Sequence, residues 1–188
     1  MITDPDKIPG WFDFKGIYEA AVERAPKDSP STFVEIGTAF GRSAAVMATL
    51  IRASGKPIQF YTIDSFVTHD PGVVRHLRYC IDDLKMGRTF EELTRSQLAG
   101  FPEAQLIVGV SYEVASRFAD DSVDFLFIDG DHELEGMRKD LAAWLPKMRP
   151  GATLGGHDWG AAGVNIAVRE LFGDRYTLDW GSWLTTRL

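Results

Sequence analysis

Two short runs carry most of the side chains in this sequence that could do chemistry. They are Ile128-Asp129-Gly130-Asp131-His132 and Gly155-Gly156-His157-Asp158-Trp159. Each follows an apolar stretch that reads as a strand. Two carboxylates and two imidazoles facing one another could hold a divalent cation. Oxygen ligands favour Mg²⁺ or Ca²⁺, and histidine favours transition metals. Asp129 and Asp158 are therefore the candidate metal ligands. An imidazole takes up a proton near neutral pH, so His132 and His157 are the candidate general bases. His132 is expected to open a helix, whose dipole would lower its pKa and keep it neutral, which favours His132 over His157. Any one of these residues, taken alone, reads equally as a solvated loop residue.

A second group surrounds a glycine turn, Glu35-Ile36-Gly37-Thr38-Ala39-Phe40-Gly41-Arg42-Ser43. Gly37 allows a ligand close to the backbone, Gly41 permits the tight turn, and the helix that follows offers free N–H groups. The dinucleotide pattern G-x-G-x-x-G is broken at Ala39 and Arg42. Glu35 sits inside an apolar strand, where an acid is costly unless it is paired or near a ligand. A carboxylate there repels a pyrophosphate and suits a cationic or hydroxyl-bearing ligand. Asp64 ends the next strand, where an acid can accept hydrogen bonds from ribose hydroxyls, or else cap a helix. Ser111, in Gly109-Val110-Ser111, could lie against a nucleobase edge, cap the following helix, or do both.

These positions imply the elements that must hold them. Short apolar runs at Phe33–Ile36, Gln59–Ile63, Leu106–Val108, Val123–Ile128 and Ala152–Gly156 read as strands. Helical stretches are expected at Gly16–Glu23, Ser43–Ala53, Val73–Leu84, Phe90–Leu98, Val114–Phe118, Leu134–Leu145 and Val164–Phe172. The tail, Tyr176–Leu188, reads as two strands joined by a tight turn at Gly181–Ser182. Alternating strands and helices imply βαβ units and a mostly parallel sheet, with ligands beyond the C-terminal strand ends. The expected fold class is α/β: a doubly wound, Rossmann-like domain spanning residues 1–188. The long stretch 66–105 exceeds the usual connection length and is expected to cap the site. Within it His69, Asp70, Arg75, His76 and Arg78 are candidates for reading an acceptor, or else surface charges.

The 188 residues fit one domain, and 45% hydrophobic residues suffice for a sizeable core. The net charge of −7, without a Lys/Arg run, argues against nucleic acid as a partner. No apolar run approaches the ~18 residues of a membrane span, and the polar start Met1–Gly10 has no signal-peptide core. The single cysteine, Cys80, is expected to be a small, partly buried residue, which suits a cytoplasmic location. Trp11 and Phe12 would pack on the core or on a second copy in a homo-oligomer.

The run Phe33–Ser43, then Asp64, then Val123–His132 resembles class I S-adenosylmethionine-dependent methyltransferases. It is similar in particular to a bacterial small-molecule group marked by I-D-G-D-H, an Asp in the next helix (here Asp140), L-x-P-G-G and H-D. The last elements stand here as Leu145–Ala152 and Gly156-His157-Asp158, and the likeness covers roughly residues 30–172. It implies a seven-stranded sheet whose last strand is antiparallel. It also implies cofactor contacts from Glu35, Gly37, Thr38, Gly41, Ser43, Asp64, Ser65, Ser111 and Asp129. Metal-dependent relatives bind Mg²⁺ through acids at the Asp129 and Asp158 positions. This sequence departs from them in placing Trp159 after the second acid, and His132 where catechol-type relatives carry a lysine. The implied activity is methyl transfer from S-adenosylmethionine to a small-molecule acceptor, with oxygen as the acceptor atom. The alternatives are a hydroxylase-like or other sugar- or antibiotic-modifying enzyme on the same fold, and a nucleoside-binding module without catalysis.

Overall fold

The central strands, β1 (Ser31–Ile36) and β4 (Val123–Ile128), are buried on both faces, and the fold covers both. The computed structural model of the protein describes residues 1–67 and 89–187. Around this pair lie β2 (Ile58–Asp64), β3 (Ala104–Val108), β5 (Met148–Gly156), β6 (Thr177–Asp179) and β7 (Ser182–Thr186). They form one seven-stranded sheet in the order β3-β2-β1-β4-β5-β7-β6. Strands β1 to β5 pair in parallel, while β7 is antiparallel to both β5 and β6. The expected doubly wound, Rossmann-like α/β sheet with an antiparallel last strand is the fold observed.

Helices α1 (Lys15–Arg24), α2 (Arg42–Ser54) and α3 (Phe90–Leu98) cover one face, packing on Phe33, Phe60, Phe125 and Phe127. Ala44, Ala45 and Ala48 let α2 lie close to the strands, and Gly55 ends it in the left-handed conformation. On the other face α4 (Ser111–Val114), α5 (Leu134–Trp144) and α6 (Ala162–Phe172) pack on Val34, Ile36, Leu126 and Leu154. Among the described residues no helix is long and apolar enough to cross a membrane.

Three expectations change. The short helix after β3 begins at Ser111 rather than Val114, and a 3-10 turn, Ala115–Arg117, takes its second half. Strand β5 starts at Met148, so Pro150-Gly151 lies within it, at an irregularity in its pairing with β4. The stretch 66–105 is not all cap. Residues 68–88, with the expected helix Val73–Leu84, His69, Asp70, Arg75, His76, Arg78 and Cys80, lie outside the described residues. Helix α3, opened by a Thr89–Glu92 capping box, buries Leu93 and Leu98 and belongs to the body of the fold.

Candidate active site

The glycine turn runs from the end of β1 into α2, and three neighbours hold it. Gly37 has φ +95 and lies so close to the end of β4 that a Cβ there would stand 1.9 Å from the Asp129 carbonyl oxygen. No other residue fits. Ala39 also takes a positive φ, of 45. Asp64 fixes this strained backbone: its Oδ2 accepts from the N–H groups of Thr38 and Ala39, both at 2.9 Å. Its Oδ1 accepts from Phe66 N–H at 2.7 Å. Burial raises the Asp64 carboxyl above its usual pKa, against the pull of those three donors. From α3, the Thr94 hydroxyl donates to the Ala39 carbonyl at 2.7 Å. Among the described residues Ser65 makes a local turn with Val67.

Glu35 lies beneath the turn, 1% exposed. Tyr18 of α1 donates to its Oε2 at 2.5 Å, and Thr62 of β2 donates to its Oε1 at 2.7 Å. Ser43 adds a further hydroxyl, and Thr38 joins through a 2.6 Å contact with the Thr62 hydroxyl. Burial raises the Glu35 carboxyl to about 7, even though these hydroxyls favour its charged form. Burial and the neighbouring Glu35 both raise the Tyr18 phenol, which stays protonated. Glu35 thus sits behind the turn with its oxygens taken by Tyr18 and Thr62, rather than open to the edge of the sheet.

The second cluster forms where β4 and β5 end side by side. Asp129 N–H donates to Ile36 O at 2.7 Å, and His157 N–H donates to Ile128 O at 3.0 Å. Both segments are therefore fixed to the strands. His132 Nε2 stands 2.9 Å from Asp158 Oδ2 and 3.7 Å from Asp129 Oδ1. One ligand atom from each of Asp129, His132 and Asp158 lies within 4.8 Å of the others. His157 Nδ1 faces the same two acids, at 3.4 Å from Asp158 and 3.8 Å from Asp129. Its Nε2 stands 2.9 Å from Asp13 Oδ1, off the direction of a good hydrogen bond. Asp158 holds this place with a left-handed φ of 53, a mild strain of the kind that collects at functional sites.

The electrostatics correct the expectation of a neutral His132. The helix opens at Leu134, with Glu133 as its N-cap, so His132 precedes it. Asp129 and Asp158 raise the imidazole to about 10. Two nearby carboxylates outweigh the partial charge of a helix end. His157 is also raised, chiefly by Asp158. His132, and then His157, hold Asp158 well below the usual carboxylate range. Burial raises Asp129 against the opposing pull of both imidazoles.

Ser111 stands in the first turn of α4, and its hydroxyl donates to Asp140 of α5. Asp140 is buried, which raises its carboxyl to about 6. The Trp159 ring packs at a tilt against Tyr176, with the Arg169 guanidinium over its face. Asp13, Tyr18, Thr62 and Thr94 complete the site, and none of them stands out in the sequence. Their only trace was polarity at positions that the fold buries or brings to its edge.

Residues 34–159 match the family model described as a methyltransferase domain. Solved structures share the fold at low identity. The O-methyltransferase NovP aligns at 17% identity over 92% of this chain and 78% of its own, with a TM-score of 0.67. Cofactor-bound Rv0187 from MTB aligns at 17% over 98% and 86%, with a TM-score of 0.61. CalS11, a TDP-rhamnose 3'-O-methyltransferase of calicheamicin biosynthesis, aligns at 18% over 92% and 76%, with a TM-score of 0.57. The match spans most of the chain, from β1 through both acid–imidazole clusters, and the chain belongs to the methyltransferase domain family, as an S-adenosylmethionine-dependent enzyme of the class I fold.

Proposed function

We propose that the protein transfers a methyl group from S-adenosylmethionine to a hydroxyl of a small molecule, with a divalent cation at the acceptor. The observation that carries this reading is the meeting of Asp129, His132 and Asp158 beside the glycine turn. Two structures of the same fold, NovP and CalS11, are O-methyltransferases, which supports oxygen as the acceptor atom.

The residues suit both S-adenosylmethionine and a divalent cation. Asp64, at the glycine turn, gives that end of the edge a carboxylate that suits a cationic cofactor, while Asp129 and Asp158 face the cation. Asp64 Oδ1 accepts a single N–H and keeps a lone pair for a ribose hydroxyl. Gly37, Thr38, Gly41 and Ser43 shape the wall for the amino-acid end, and Glu35 supports that wall from below. Ser65 and Ser111 flank the nucleobase. The 2.9 Å between His132 Nε2 and Asp158 Oδ2 suits two ligands of one ion with bonds of about 2.1 Å. A mixed nitrogen and oxygen set favours Mn²⁺, Fe²⁺ or Zn²⁺ over Mg²⁺. When bound, S-adenosylmethionine supplies an electrophilic methyl group, and a divalent cation lowers the pKa of an acceptor hydroxyl.

In this reading His132 is a ligand together with Asp129 and Asp158, and His157 takes the acceptor's proton, with the Asp13 carboxylate beside its Nε2. His132→Gln should lower metal affinity and turnover together. His157→Gln should keep S-adenosylhomocysteine affinity and metal content while losing ~10²–10⁴-fold in turnover. The test incubates the protein with S-adenosylmethionine, Mn²⁺ and a panel of hydroxylated acceptors, followed by mass spectrometry. A product heavier by CH₂ supports the reading. A product heavier by one oxygen favours a hydroxylase, and cofactor binding with no product on any acceptor favours a binding module.

A further inference from the structure

Two segments outside the matched region 34–159 meet over His157. The first is the N-terminal stretch. Asp13 Oδ1 lies 2.9 Å from His157 Nε2, and the Phe14 ring lies 5.2 Å from the imidazole. The second is the β6–β7 hairpin. Because β7 runs antiparallel to β5, its turn arrives at the end of the sheet that carries the acids. Trp159 N–H donates to Gly181 O at 2.9 Å, and a Cβ on Gly181 would stand 3.1 Å from His157 Nε2.

Each segment sets a tryptophan beside its contact with His157. Trp11, two residues before Asp13, is 65% exposed, and Trp180, next to Gly181, is 94% exposed. Trp180 also takes a left-handed φ of 53. A large ring in that conformation costs energy, and an exposed one recovers none of it by burial. Asn or Gly would suit this turn better. The fold gains nothing from Trp180, so its placement at the rim of the site calls for a ligand.

We propose that Trp11 and Trp180 are the ring-binding walls of the acceptor site and select a hydroxylated ring with a C–H or π face to stack on. This rests on the O-methyltransferase reading above. Indole faces stack on aromatic rings and on the C–H faces of sugars, and Tyr and Trp dominate such contacts because they offer large area with few rotors to freeze. Asp13 and Asp179 lie on the two segments and Asp158 beside His157 between them, so the ring is uncharged or cationic.

The test uses binding alone. Protein saturated with S-adenosylhomocysteine is titrated with catechol, with methyl α-glucopyranoside and with 2,3-dihydroxybenzoate, and each affinity is read by saturation-transfer NMR. Either catechol or the glucoside binds the wild type. That ligand loses fivefold or more in affinity in Trp180→Ala and in Trp11→Ala, and Trp180→Phe restores most of it. Which ligand binds tells an aromatic ring from a sugar. Trp180→Asn melts at or above the wild-type temperature, because the residue serves no folding role. Equal affinities in wild type and both alanine variants would overturn the proposal, and so would no binding of either neutral ring. Dihydroxybenzoate binding as tightly as catechol would overturn the charge assignment. Calorimetry with S-adenosylhomocysteine alone separates the two readings: its failure to bind the wild type would count against the cofactor reading, not against the tryptophans.

Discussion

Gly37 and Asp129 depend directly on each other. The carbonyl of Asp129 fills the space where a side chain at position 37 would go. Gly37→Ala adds both a clash with backbone and a left-handed strain. We expect it to destabilise the protein by about 3 kcal/mol or more, seen as a thermal midpoint lower by roughly 10 °C, with cofactor affinity lost in parallel. At this scale the sequence was most informative where a titratable side chain directly followed an apolar strand. Asp129, His132, His157 and Asp158 could be placed together because parallel strands end on one edge. Their charge states could not be read, since those depend on distances between side chains. His132 looked neutral beside a helix end and proves to be held between two acids.

At the scale of elements, Glu35 ties α1, β1 and β2 to the glycine turn through Tyr18, Thr62 and Thr38. Its carboxyl is raised from 4.5 to about 7. The folded protein therefore holds this proton more tightly than the unfolded chain does. The contribution of Glu35 to stability is greatest below pH 4.5, falls as pH rises through the window to about 7, and is constant above it. The loss across that window is on the order of 3 kcal/mol. In Glu35→Gln the share of the slope due to Glu35 disappears, so the stability difference between the two proteins in denaturant titrations should change between pH 5 and pH 8. Equal pH slopes would show that the carboxyl titrates normally. The strand acid was visible in the sequence as an anomaly. Its partners were not, because a tyrosine on a preceding helix and a threonine on the next strand carry no local mark of meeting it.

For the whole molecule, a cation that binds only the folded form must stabilise it by mass action. At a hundred times its dissociation constant, Mn²⁺ should add about 2.7 kcal/mol, with a higher melting temperature that a chelator reverses. Asp158→Ala should abolish the effect. The overall architecture was legible because alternating apolar strands and amphipathic helices leave few ways to wind a parallel sheet. The start of β5 and of α4 was misplaced, since Pro150-Gly151 resembles a turn and Ser111 resembles a cap. In both cases strand pairing and packing decided against the local signal.

The position of β7 has a consequence for how the chain assembles. It is the last strand in sequence, yet it lies between β5 and β6. Gly155 and Gly156 carry no side chains because Leu184 and the fully buried Trp183 occupy that space. Before β7 docks, β5 presents a bare edge with an apolar socket, the kind of surface on which nascent chains stick to one another. The acids and imidazoles beyond β4 and β5 would then be assembled early but left without their β6–β7 border. We expect pulse-labelled hydrogen exchange during refolding to protect β1 and β4 amides first and the β5–β7 ladder last. Trp183→Ala should prolong that exposed stage and increase aggregation on refolding, more than it alters the ends of the central strands.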